Sequence, residues 1–548
     1  MGVYSISTVN QKSLWRSVFI VFTCFIVVAT ITGCNNKKNK KNKNLPDSVF
    51  YSKQNFTELL LDSAVVNNFI KNTPVSDSIK IQINEFYARR NYQYAWVNKS
   101  GLTHAVPSFY SQLKNYSVDF DDKSLSNKQL DDLIIAAQKD EKQFLTQKND
   151  VQQLELLLTT TFFQYAEKAY SGSVKNTLDL EWFIPRKKKD YLIVLDSLVS
   201  SRKGEEIKEP VNQYYTNLKE QLRKYRTIQQ NGGLPTVITN KKLLVVGDID
   251  SCLINAKQHL FITGDLKAND KTNIFTDSLA KAVQRFQHRM GLTENGKLNP
   301  TTIAEFNRTV DFRIRQMMVN MERLRWVPVE LEKDYLLVNI PEFRLHVFEN
   351  SKQVWAANVV VGQDVKQTSI FKGNISQIVL NPYWGIPLSI VKNEILPKIK
   401  KNPNYLARNN MEVVNGYYRQ KPGKNNALGK MKFLFPNNFD IYLHDTPSKS
   451  HFGATNRAFS HGCIRVENPR KLAIYLLRKE AAWNEEKIDN VLKTEKETII
   501  KVKPTVPVYI AYFTAWVDNT GQLNFRNDLY NLDEKVSKEI FEEKVPIQ

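Results

Sequence analysis

The amino-acid sequence predicts a multidomain α+β protein, with helical domains in its N-terminal half and a mostly β domain in its C-terminal half. Apolar residues recur every three or four positions as far as Leu324, the spacing of amphipathic helices. From Asp334 onward they alternate with polar residues, the spacing of half-buried strands. A chain of 548 residues, 42% of them apolar, is long enough to form several hydrophobic cores.

The N-terminal segment has the pattern of an export signal. Lys12 and Arg16 precede an apolar run over 18–31, which ends in Ile31-Thr32-Gly33-Cys34. The run is short for a membrane-spanning helix, and the segment resembles a bacterial lipoprotein signal peptide over 1–33. The resemblance implies that Cys34 is lipidated and becomes the mature N-terminus; an uncleaved signal anchor is the alternative.

The signal is followed by a basic tether over 34–47. It is rich in lysine and asparagine, and its positive charges repel one another, which predicts an extended solvated linker. Under either interpretation of the signal, the remainder of the chain lies outside the cytoplasm. We expect a protein of the bacterial cell envelope that faces the periplasm and is held to a membrane by its N-terminal lipid.

The net charge limits the class of partner. The chain has 77 lysines and arginines against 56 acidic residues, a formal charge of +21. Nucleic acid, an anionic membrane surface and an anionic polymer would all suit this charge. Because neither zinc-finger spacing nor an aromatic RNA-binding signature occurs, nucleic acid is not expected as a partner.

The region 48–245 is predicted to be a helical domain. A long amphipathic helix is expected over 151–170, and no catalytic constellation occurs in this region. A smaller three-helix module follows over 246–308, where Asn299 and Pro300 have the pattern of a helix cap and first helical residue. Cys252 shares an apolar stripe with Ala256 and Leu260, so we expect it to be buried.

A linking segment over 309–333 connects these domains to the β domain. Its helix carries a methionine-rich stripe, which favours a core position over a partner surface, and Pro328 prevents the helix from continuing. The β domain is predicted over 334–533, followed by a tail over 534–548. Strands are expected over 335–340, 343–349, 354–361, 375–380, 432–435 and 440–444, and the runs 498–502, 506–517 and 522–525 are expected to complete the same sheet.

A long polar insertion interrupts this domain at about 387–428. It exceeds an ordinary connection within one sheet, so it is expected to be either a lid over a site or a surface excursion without a role. Trp384, just before the insertion, is expected to line a substrate groove at its base.

Candidate catalytic residues lie in the segment Ser460-His461-Gly462-Cys463-Ile464-Arg465, nineteen residues after His444. A cysteine nucleophile needs a base and hydrogen-bond donors for the oxyanion, and Gly462 allows backbone N–H groups to approach. Tyr442 and His444 face away from the apolar side of their predicted strand, where a base should lie. The alternative is that Cys463 and His444 are buried core residues.

This motif and spacing resemble the L,D-transpeptidase catalytic (YkuD) domain, whose signature is a histidine followed at this interval by [ST]-H-G-C. The aromatic segments 86–96 and 166–174, with Trp182, resemble the scaffold domain of the larger members. The run 282–287, with Gly291-Leu292 and Gly296, resembles a peptidoglycan-binding module. The resemblance implies a β-sandwich-like catalytic domain with a lid at the insertion.

The resemblance implies a peptidoglycan L,D-transpeptidase. Cys463 would attack the stem tetrapeptide after its third residue, release D-alanine and transfer the acyl group to an amine of another stem peptide, making a 3-3 crosslink. Alternatives are an L,D-carboxypeptidase, exchange with a free D-amino acid and a non-catalytic wall-binding lipoprotein. Other cysteine peptidases are disfavoured, because in them cysteine precedes histidine.

The remaining site residues have two possible roles each. His461 would tune the thiol or shape the turn, and Arg465 would bind a substrate carboxylate or brace the loop. Ser460 and Tyr442 are expected to support the site, and the 246–308 module would bind glycan or only space the domains. No metal or other cofactor is expected, since the histidines lack zinc-ligand spacing, and the oligomeric state is not predicted.

Overall fold

The N-terminal part of the described chain is helical. The computed structural model describes residues 57–541 apart from 203, 206 and 207, so the predicted signal, Cys34 and the tether lie outside the described residues. The helices are α1 (Ser63–Asn72), α2 (Asp77–Arg89), α3 (Ala105–Phe120), α4 (Lys128–Lys139), α5 (Glu141–Thr146), α6 (Lys148–Ala166), α7 (Tyr191–Ser200) and α8 (Gln213–Gln230). Short strands are β1 (Val97–Asn98), β2 (Gly101–Leu102) and β3 (Trp182–Phe183). The helix predicted over 151–170 is confirmed as α6 and a π-helical turn, Glu167–Ser171.

A buried carboxylate organises this helical region. Glu155 of α6 accepts hydrogen bonds from the backbone N–H groups of Ala95 and Trp96, at 2.6 and 2.9 Å, and from the Tyr87 hydroxyl at 3.1 Å. Burial raises the pKa of Glu155 to about 7 against these hydrogen bonds, which favour its charged form. The polar groups therefore fix one arrangement of α2, α6 and the loop that contains Trp96.

The small module has the three predicted helices, α9 (Cys252–Ile262), α10 (Asp277–Arg289) and α11 (Pro300–Phe306). Asn299 caps α11 by accepting the Thr302 N–H, and Pro300 is at the first position, as predicted. Cys252 is 4% exposed, which confirms its predicted burial. Arg289 donates to the backbone oxygen of Leu523 at 2.8 Å, so the module is attached directly to the β domain.

The linking helix α12 (Val310–Trp326) is the central element of the described chain. Its Met317 and Met321 are fully buried, which confirms their core position. On one side Glu322 accepts from the Val174 N–H of the helical region, and on the other Asn320 exchanges two hydrogen bonds with Thr514 of the β domain. The helix ends at Trp326, two residues before Pro328.

The C-terminal domain is mostly β, as predicted. Its strands are β4 (Tyr335–Asn339), β5 (Arg344–Glu349), β6 (Lys352–Gly362), β7 (Ile370–Leu380), β8 (Trp384–Gly385), β9 (Met411–Val414), β10 (Tyr417–Gln420), β11 (Met431–Leu434), β12 (Leu443–His444), β13 (Ala458–Ser460), β14 (Ile464–Val466), β15 (Thr498–Ala511), β16 (Ala515–Val517) and β17 (Leu523–Phe525). Its helices are α13 (Leu388–Ile390), α14 (Leu396–Lys401), α15 (Tyr405–Arg408), α16 (Pro469–Leu477), α17 (Glu485–Lys493) and α18 (Leu532–Phe541).

The main sheet closes on itself. Its strands follow the order β11-β12-β14-β6-β5-β4-β15-β7, and β11 pairs again with β7. Side chains of one face fill the interior, and those of β4, β5, β12 and β14 that point inward are fully buried, namely Leu336, Val338, Leu345, Val347, Leu443, Ile464 and Val466. Alternate residues on the same strands point to the outer face. The scaffold strand β3 also joins this sheet, by pairing with the start of β7.

The insertion forms a subdomain with its own small core. Strands β8, β10 and β9 make a three-stranded sheet, and Ile386, Val391 and Ile395 form a hydrophobic cluster separate from the main core. We refer to residues 384–420 as the lid, after their predicted role, which stays a prediction. Trp384 lies in its first strand and packs on this cluster.

Two predictions about strands were wrong. The run 506–517 is not one strand, because the Phe513 and Thr514 N–H groups donate to Asn339 and Asn320 side chains and end the pairing. Strands β16 and β17 therefore form a separate hairpin. The strand predicted over 440–444 is only Leu443–His444, since the Asn437 side chain forms hydrogen bonds with both the N–H and the carbonyl oxygen of Ile441.

Candidate active site

The structure brings Cys463 and His444 onto the outer face of the closed sheet. Strands β12 and β14 are parallel, with Leu443 opposite Ile464 and His444 opposite Arg465. One residue earlier along both strands, Tyr442 stands beside Cys463, and its carbonyl oxygen accepts the Ile464 N–H at 3.1 Å. Because Leu443 and Ile464 point into the core, the thiol and the imidazole are diagonal neighbours on the opposite face.

The turn before the cysteine is held by hydroxyl groups. The buried Ser460 hydroxyl donates to the Cys463 carbonyl oxygen at 2.6 Å and accepts the Gly462 N–H at 3.2 Å. Gly462 has φ +113°, a conformation that glycine adopts without strain. Thr368, which is also buried, donates to the Gly462 carbonyl oxygen at 2.8 Å. These bonds fix both peptide units that flank Gly462.

The sulfur is partly buried and lies among polar neighbours. The thiol contacts the Asp440 carbonyl oxygen at 3.6 Å, and the backbone and side chain of Tyr442 lie beside it. The Lys432 ammonium lies 3.9 Å from the centre of the Tyr442 ring. Burial raises the pKa of the Cys463 thiol above its ordinary value, although Tyr442 and Lys432 act to lower it. The resting sulfur is therefore a protonated thiol at neutral pH.

His444 is buried, and the two ring nitrogens differ in their partners. Nδ1 is hydrogen-bonded to the Asp445 carbonyl oxygen. Because a carbonyl only accepts, Nδ1 carries the proton in the neutral ring and Nε2 is left able to accept one. Burial, together with the charges of Arg465 and Lys432, lowers the pKa of His444 to about 3. The imidazole is therefore neutral at pH 7.

A row of three polar side chains crosses the strands at this point. Lys432 of β11 is opposite His444 of β12, and His444 is opposite Arg465 of β14. The imidazole therefore lies between two cations, and both cations interact with charge on the Cys463 sulfur. No hydrogen bond joins the thiol to the imidazole in the described chain, so the resting pair is a neutral thiol and a neutral imidazole.

Arg465 contacts a histidine of the loop that precedes β13. Its guanidinium lies 3.3 Å from Nδ1 of His451, whose ring packs 4.9 Å from that of Phe459. Burial lowers the pKa of Arg465, yet arginine stays charged at neutral pH. The Arg465 charge also interacts with the Cys463 sulfur, so it would attract an anionic group near the nucleophile.

His461 contacts the lid. Its Nε2 lies 3.4 Å from a carboxylate oxygen of Glu394, and the two side chains are 41% and 43% exposed. The lid thus contacts the loop that carries the nucleophile through a solvent-exposed pair. Trp384 packs within the lid, and its role in a substrate groove stays a prediction, as do the roles of His461.

Several residues of this site were missed by sequence reasoning. Thr368, Asp440 and Lys432 surround the motif in space but carry no local pattern, and only the outward register of Lys432 on its predicted strand could have indicated it. Within the described residues, no group of three or more His, Cys, Asp or Glu side chains is arranged to hold a metal ion. None of the described helices is long and apolar enough to cross a membrane.

Comparison with known families identifies the domain that carries this site. Residues 333–508 match the model of the "L,D-transpeptidase catalytic domain". The chain contains a YkuD L,D-transpeptidase domain. Residues 81–222 match a "Scaffold domain", and residues 254–305 match a "Putative peptidoglycan binding domain". All three predicted resemblances are confirmed, and the L,D-transpeptidase domain includes both His444 and Cys463.

The chain is similar to a Haemophilus influenzae protein named "Putative L,D-transpeptidase", at 31% identity over 246 residues. The match covers 41% of this chain and 49% of that protein, so the chain spans about half the length of this relative. Solved structures of L,D-transpeptidases from Stackebrandtia nassauensis and Xylanimonas cellulosilytica also match. The two structures are 12% and 13% identical to this chain, in that order, with TM-scores of 0.21 and 0.17. Each match covers 50% of this chain, together with 96% of the first solved chain and 100% of the second.

Proposed function

We propose that this protein is a peptidoglycan L,D-transpeptidase in which Cys463 is the nucleophile and His444 is its base. The observation that carries the proposal is the shared outer-face position of the thiol and a neutral imidazole with a free Nε2, inside an L,D-transpeptidase domain. Such an imidazole can accept the thiol proton as the sulfur attacks a carbonyl carbon. The family of the domain implies a peptidoglycan substrate and a location in the cell envelope.

The first half-reaction forms a thioester. As the thiol proton passes to His444, the sulfur bonds to the carbonyl carbon of the third residue of a stem tetrapeptide, and the carbonyl electrons move onto oxygen. The backbone N–H of Cys463, in a peptide unit fixed by the Thr368 hydroxyl, is the expected oxyanion donor. When the tetrahedral intermediate collapses, the C–N bond breaks and the imidazolium protonates the departing D-alanine.

The second half-reaction transfers the acyl group. An amine of another stem peptide attacks the thioester carbonyl carbon, His444 takes a proton from that amine, and the thiol leaves and is reprotonated. The product is a 3-3 crosslink between two stem peptides. Lys432 and Arg465 flank the imidazole and stabilise the negative charge that appears on sulfur and oxygen in both half-reactions.

An L,D-carboxypeptidase is the second candidate function, because water can replace the acceptor amine. The observation that favours it is the solvent exposure of the Glu394–His461 contact, which leaves water near the nucleophile loop. A lid that excluded water would favour transfer. Exchange with a free D-amino acid would use the same thioester.

The test of the nucleophile is a mass spectrum of the full chain after incubation with a carbapenem, whose strained carbonyl acylates a reactive thiol. We expect one covalent adduct on Cys463 that is absent in Cys463→Ala. Cys252→Ala is the matched control, since Cys252 is buried and burial raises the pKa of its thiol to about 12. An adduct that persists in Cys463→Ala would overturn the proposal.

The test of the reaction is chromatography of muropeptides incubated with the same proteins. Dimers linked through third residues are expected from a transpeptidase, and tripeptides without dimers from a carboxypeptidase. A Cys463→Ala protein that still makes either product would overturn Cys463 as the nucleophile, and a parent chain that makes neither product would leave only a scaffold that binds the wall. We further propose that Cys34 is lipidated; mass analysis of the N-terminal peptide from membranes tests this part independently.

A further inference from the structure

A large cavity lies apart from the nucleophile, where the helical region, the small module and the L,D-transpeptidase domain meet. Its volume is about 1380 Å³, and neither Cys463 nor His444 lines it. One wall is the outer face of β4 and β5, another is the loop 452–457, and a third is the module turn 291–294. Cavities that hold drug-sized ligands are about 300–1000 Å³, so this one has room for a short peptide.

Three arginines from separate parts of the chain meet in this cavity. Arg344 comes from β5, Arg457 from the loop before β13, and Arg526 from the segment after β17. Within the described residues, none of the three has a carboxylate oxygen within ion-pair distance. All three donate hydrogen bonds to uncharged oxygens instead. Arg344 donates to the side-chain oxygen of Asn358. Arg457 donates to the backbone oxygens of Ala454 and Phe343, and Arg526 donates to those of Arg289 and Phe525. Nε of Arg457 is buried and has no hydrogen-bond partner.

Glu342 is the acidic group that interacts with all three arginines, while Glu467 also acts on Arg457, and Glu294 and Glu305 act on Arg526. Its carboxylate lies 2.8 Å from Nε2 of His346. Burial raises the pKa of Glu342, but His346 and the nearby arginines lower it to about 2. Burial, with repulsion from Arg344 and Arg526, lowers the pKa of Arg457 to about 10. None of the carboxylates that act on this cluster is within ion-pair distance of its guanidiniums in the described chain, so an anion in the cavity would give the three arginines a direct partner.

We propose that this cavity binds a peptide that carries a free carboxylate, held by Arg344, Arg457 and Arg526. Guanidinium groups match a planar carboxylate with paired hydrogen bonds, and Arg457 has an unused buried donor for it. Phe343, Phe452 and Trp516 supply apolar walls for the stem of such a peptide. This site is distinct from Arg465, which lies beside the nucleophile.

The cavity and the nucleophile share one face of the closed sheet. Arg344 on β5 is opposite Asn358 on β6, and Arg465 on β14 is opposite Val360, two residues further along β6. Two strand spacings across the sheet and two residues along it separate Arg344 from Arg465, so these two residues are roughly 12 Å apart, and Cys463 lies two residues beyond Arg465. The loop between them contributes His451 to one site and Arg457 to the other. The cavity therefore suits the stem peptide that supplies the amine, an assignment that rests on the proposed function.

Binding can be tested with a wall tripeptide, which carries free carboxylates and has no terminal D-alanine bond to be cut. Trp516 lines the cavity, with the Arg526 guanidinium 5.0 Å from its ring centre, so its fluorescence reports on this site. The full chain is titrated with the tripeptide, with its amidated form and with inorganic phosphate. We expect a change in emission with the tripeptide that Trp516→Phe removes.

Arg457→Gln and Arg344→Gln are each expected to weaken tripeptide binding about tenfold. Arg308→Gln, at an exposed position of the module outside the cavity, is the matched control. Unchanged binding in both cavity variants, equal binding of the amidated peptide, or equally tight binding of phosphate would overturn the assignment. Carbapenem acylation of Cys463 is measured on the same proteins: if the tripeptide binds but Cys463 is not acylated, the proposed function fails and the binding site stands.

Discussion

The Thr368 hydroxyl donates a 2.8 Å hydrogen bond to the carbonyl oxygen of Gly462. That oxygen and the N–H of Cys463 belong to the same planar peptide unit, so holding one fixes the direction of the other. The same hydroxyl accepts the Gly362 N–H at 2.9 Å, which ties the unit to β6. Thr368 is thus a positioning residue for the proposed oxyanion donor.

Removing this hydroxyl should slow acylation without removing the nucleophile. Thr368→Val keeps the shape of the side chain but releases the peptide unit, and we expect acylation by a carbapenem to be slower by about tenfold or more. Stopped-flow kinetics measures the rate. Thr368→Ser keeps the hydroxyl and should stay close to the parent rate. Parent-like acylation by a folded Thr368→Val protein would contradict the role.

The thiol should stay unreactive toward simple alkylating agents at neutral pH. Because its pKa is raised above the ordinary value of 9.0, thiolate is scarce until the pH exceeds 9. We expect the alkylation rate of Cys463 by iodoacetamide to be low at neutral pH and to rise about tenfold per pH unit without levelling off below pH 9, measured by peptide mass spectrometry in a Cys252→Ala background. A rate that is already constant between pH 6 and 8 would instead indicate a resting thiolate and imidazolium pair.

The charge of Arg465 should hold His444 neutral. Burial is the larger cause of the low pKa of His444, and the Arg465 charge is the next. In Arg465→Gln we therefore expect the pKa of His444 to rise from about 3, as followed by NMR of ¹³C-labelled histidine. Arg408→Gln, at an exposed position of the lid, is the control. An unchanged titration in Arg465→Gln would show that the Arg465 charge does not contribute to this pKa.

His444 should also destabilise the fold in acid. Its pKa is about 3 in the folded chain and 6.5 when unfolded, so between these values the unfolded state binds more protons. Stability from this group is therefore present above pH 6.5 and is lost as the pH falls toward 3. We expect His444→Gln to reduce the drop in Tm between pH 7 and 4.5 by about 2 °C, measured by calorimetry. His259 in the small module also has a lowered pKa, about 4, and remains in both proteins as the common background.

The lid should be able to unfold by itself. Ile395 is 3% exposed within a cluster that contains only two other buried apolar residues, and Ile395→Ala removes a contact worth about 2–5 kcal/mol. We expect faster amide exchange over 386–420 with little change in the main sheet. The fraction of thioester lost to water should rise in muropeptide assays. Val413→Ala, on the exposed side of the lid sheet, is the control.

Local patterns predicted the elements that depend on neighbours in sequence. The cap at Asn299, the end of α12 before Pro328 and the burial of Cys252 each depend on residues a few positions apart. The outward direction of His444 followed from strand alternation, and its register with Arg465 places it on the same face as Cys463.

Contacts between distant segments could not be predicted in this way. Thr368 is 94 residues from Gly462, and the three cavity arginines come from segments that meet only after the sheet has closed. The strand predicted over 506–517 ended early because side chains of Asn339 and Asn320 took its N–H groups. Each of these outcomes depends on contacts between side chains and backbone groups that are distant in sequence, and such contacts leave no periodic pattern along the chain.

The pairing of β3 with β7 affects how the chain can be divided. Trp182 of β3 is fully buried against Trp326 and Phe513, and the backbone of β3 covers the start of β7. A fragment that began at residue 334 would lose this cover and present bare N–H and C=O groups beside an emptied aromatic pocket. Exposed strand edges pair with one another, so copies of such a fragment would associate through β7. In the full chain β3 covers this edge and prevents that association.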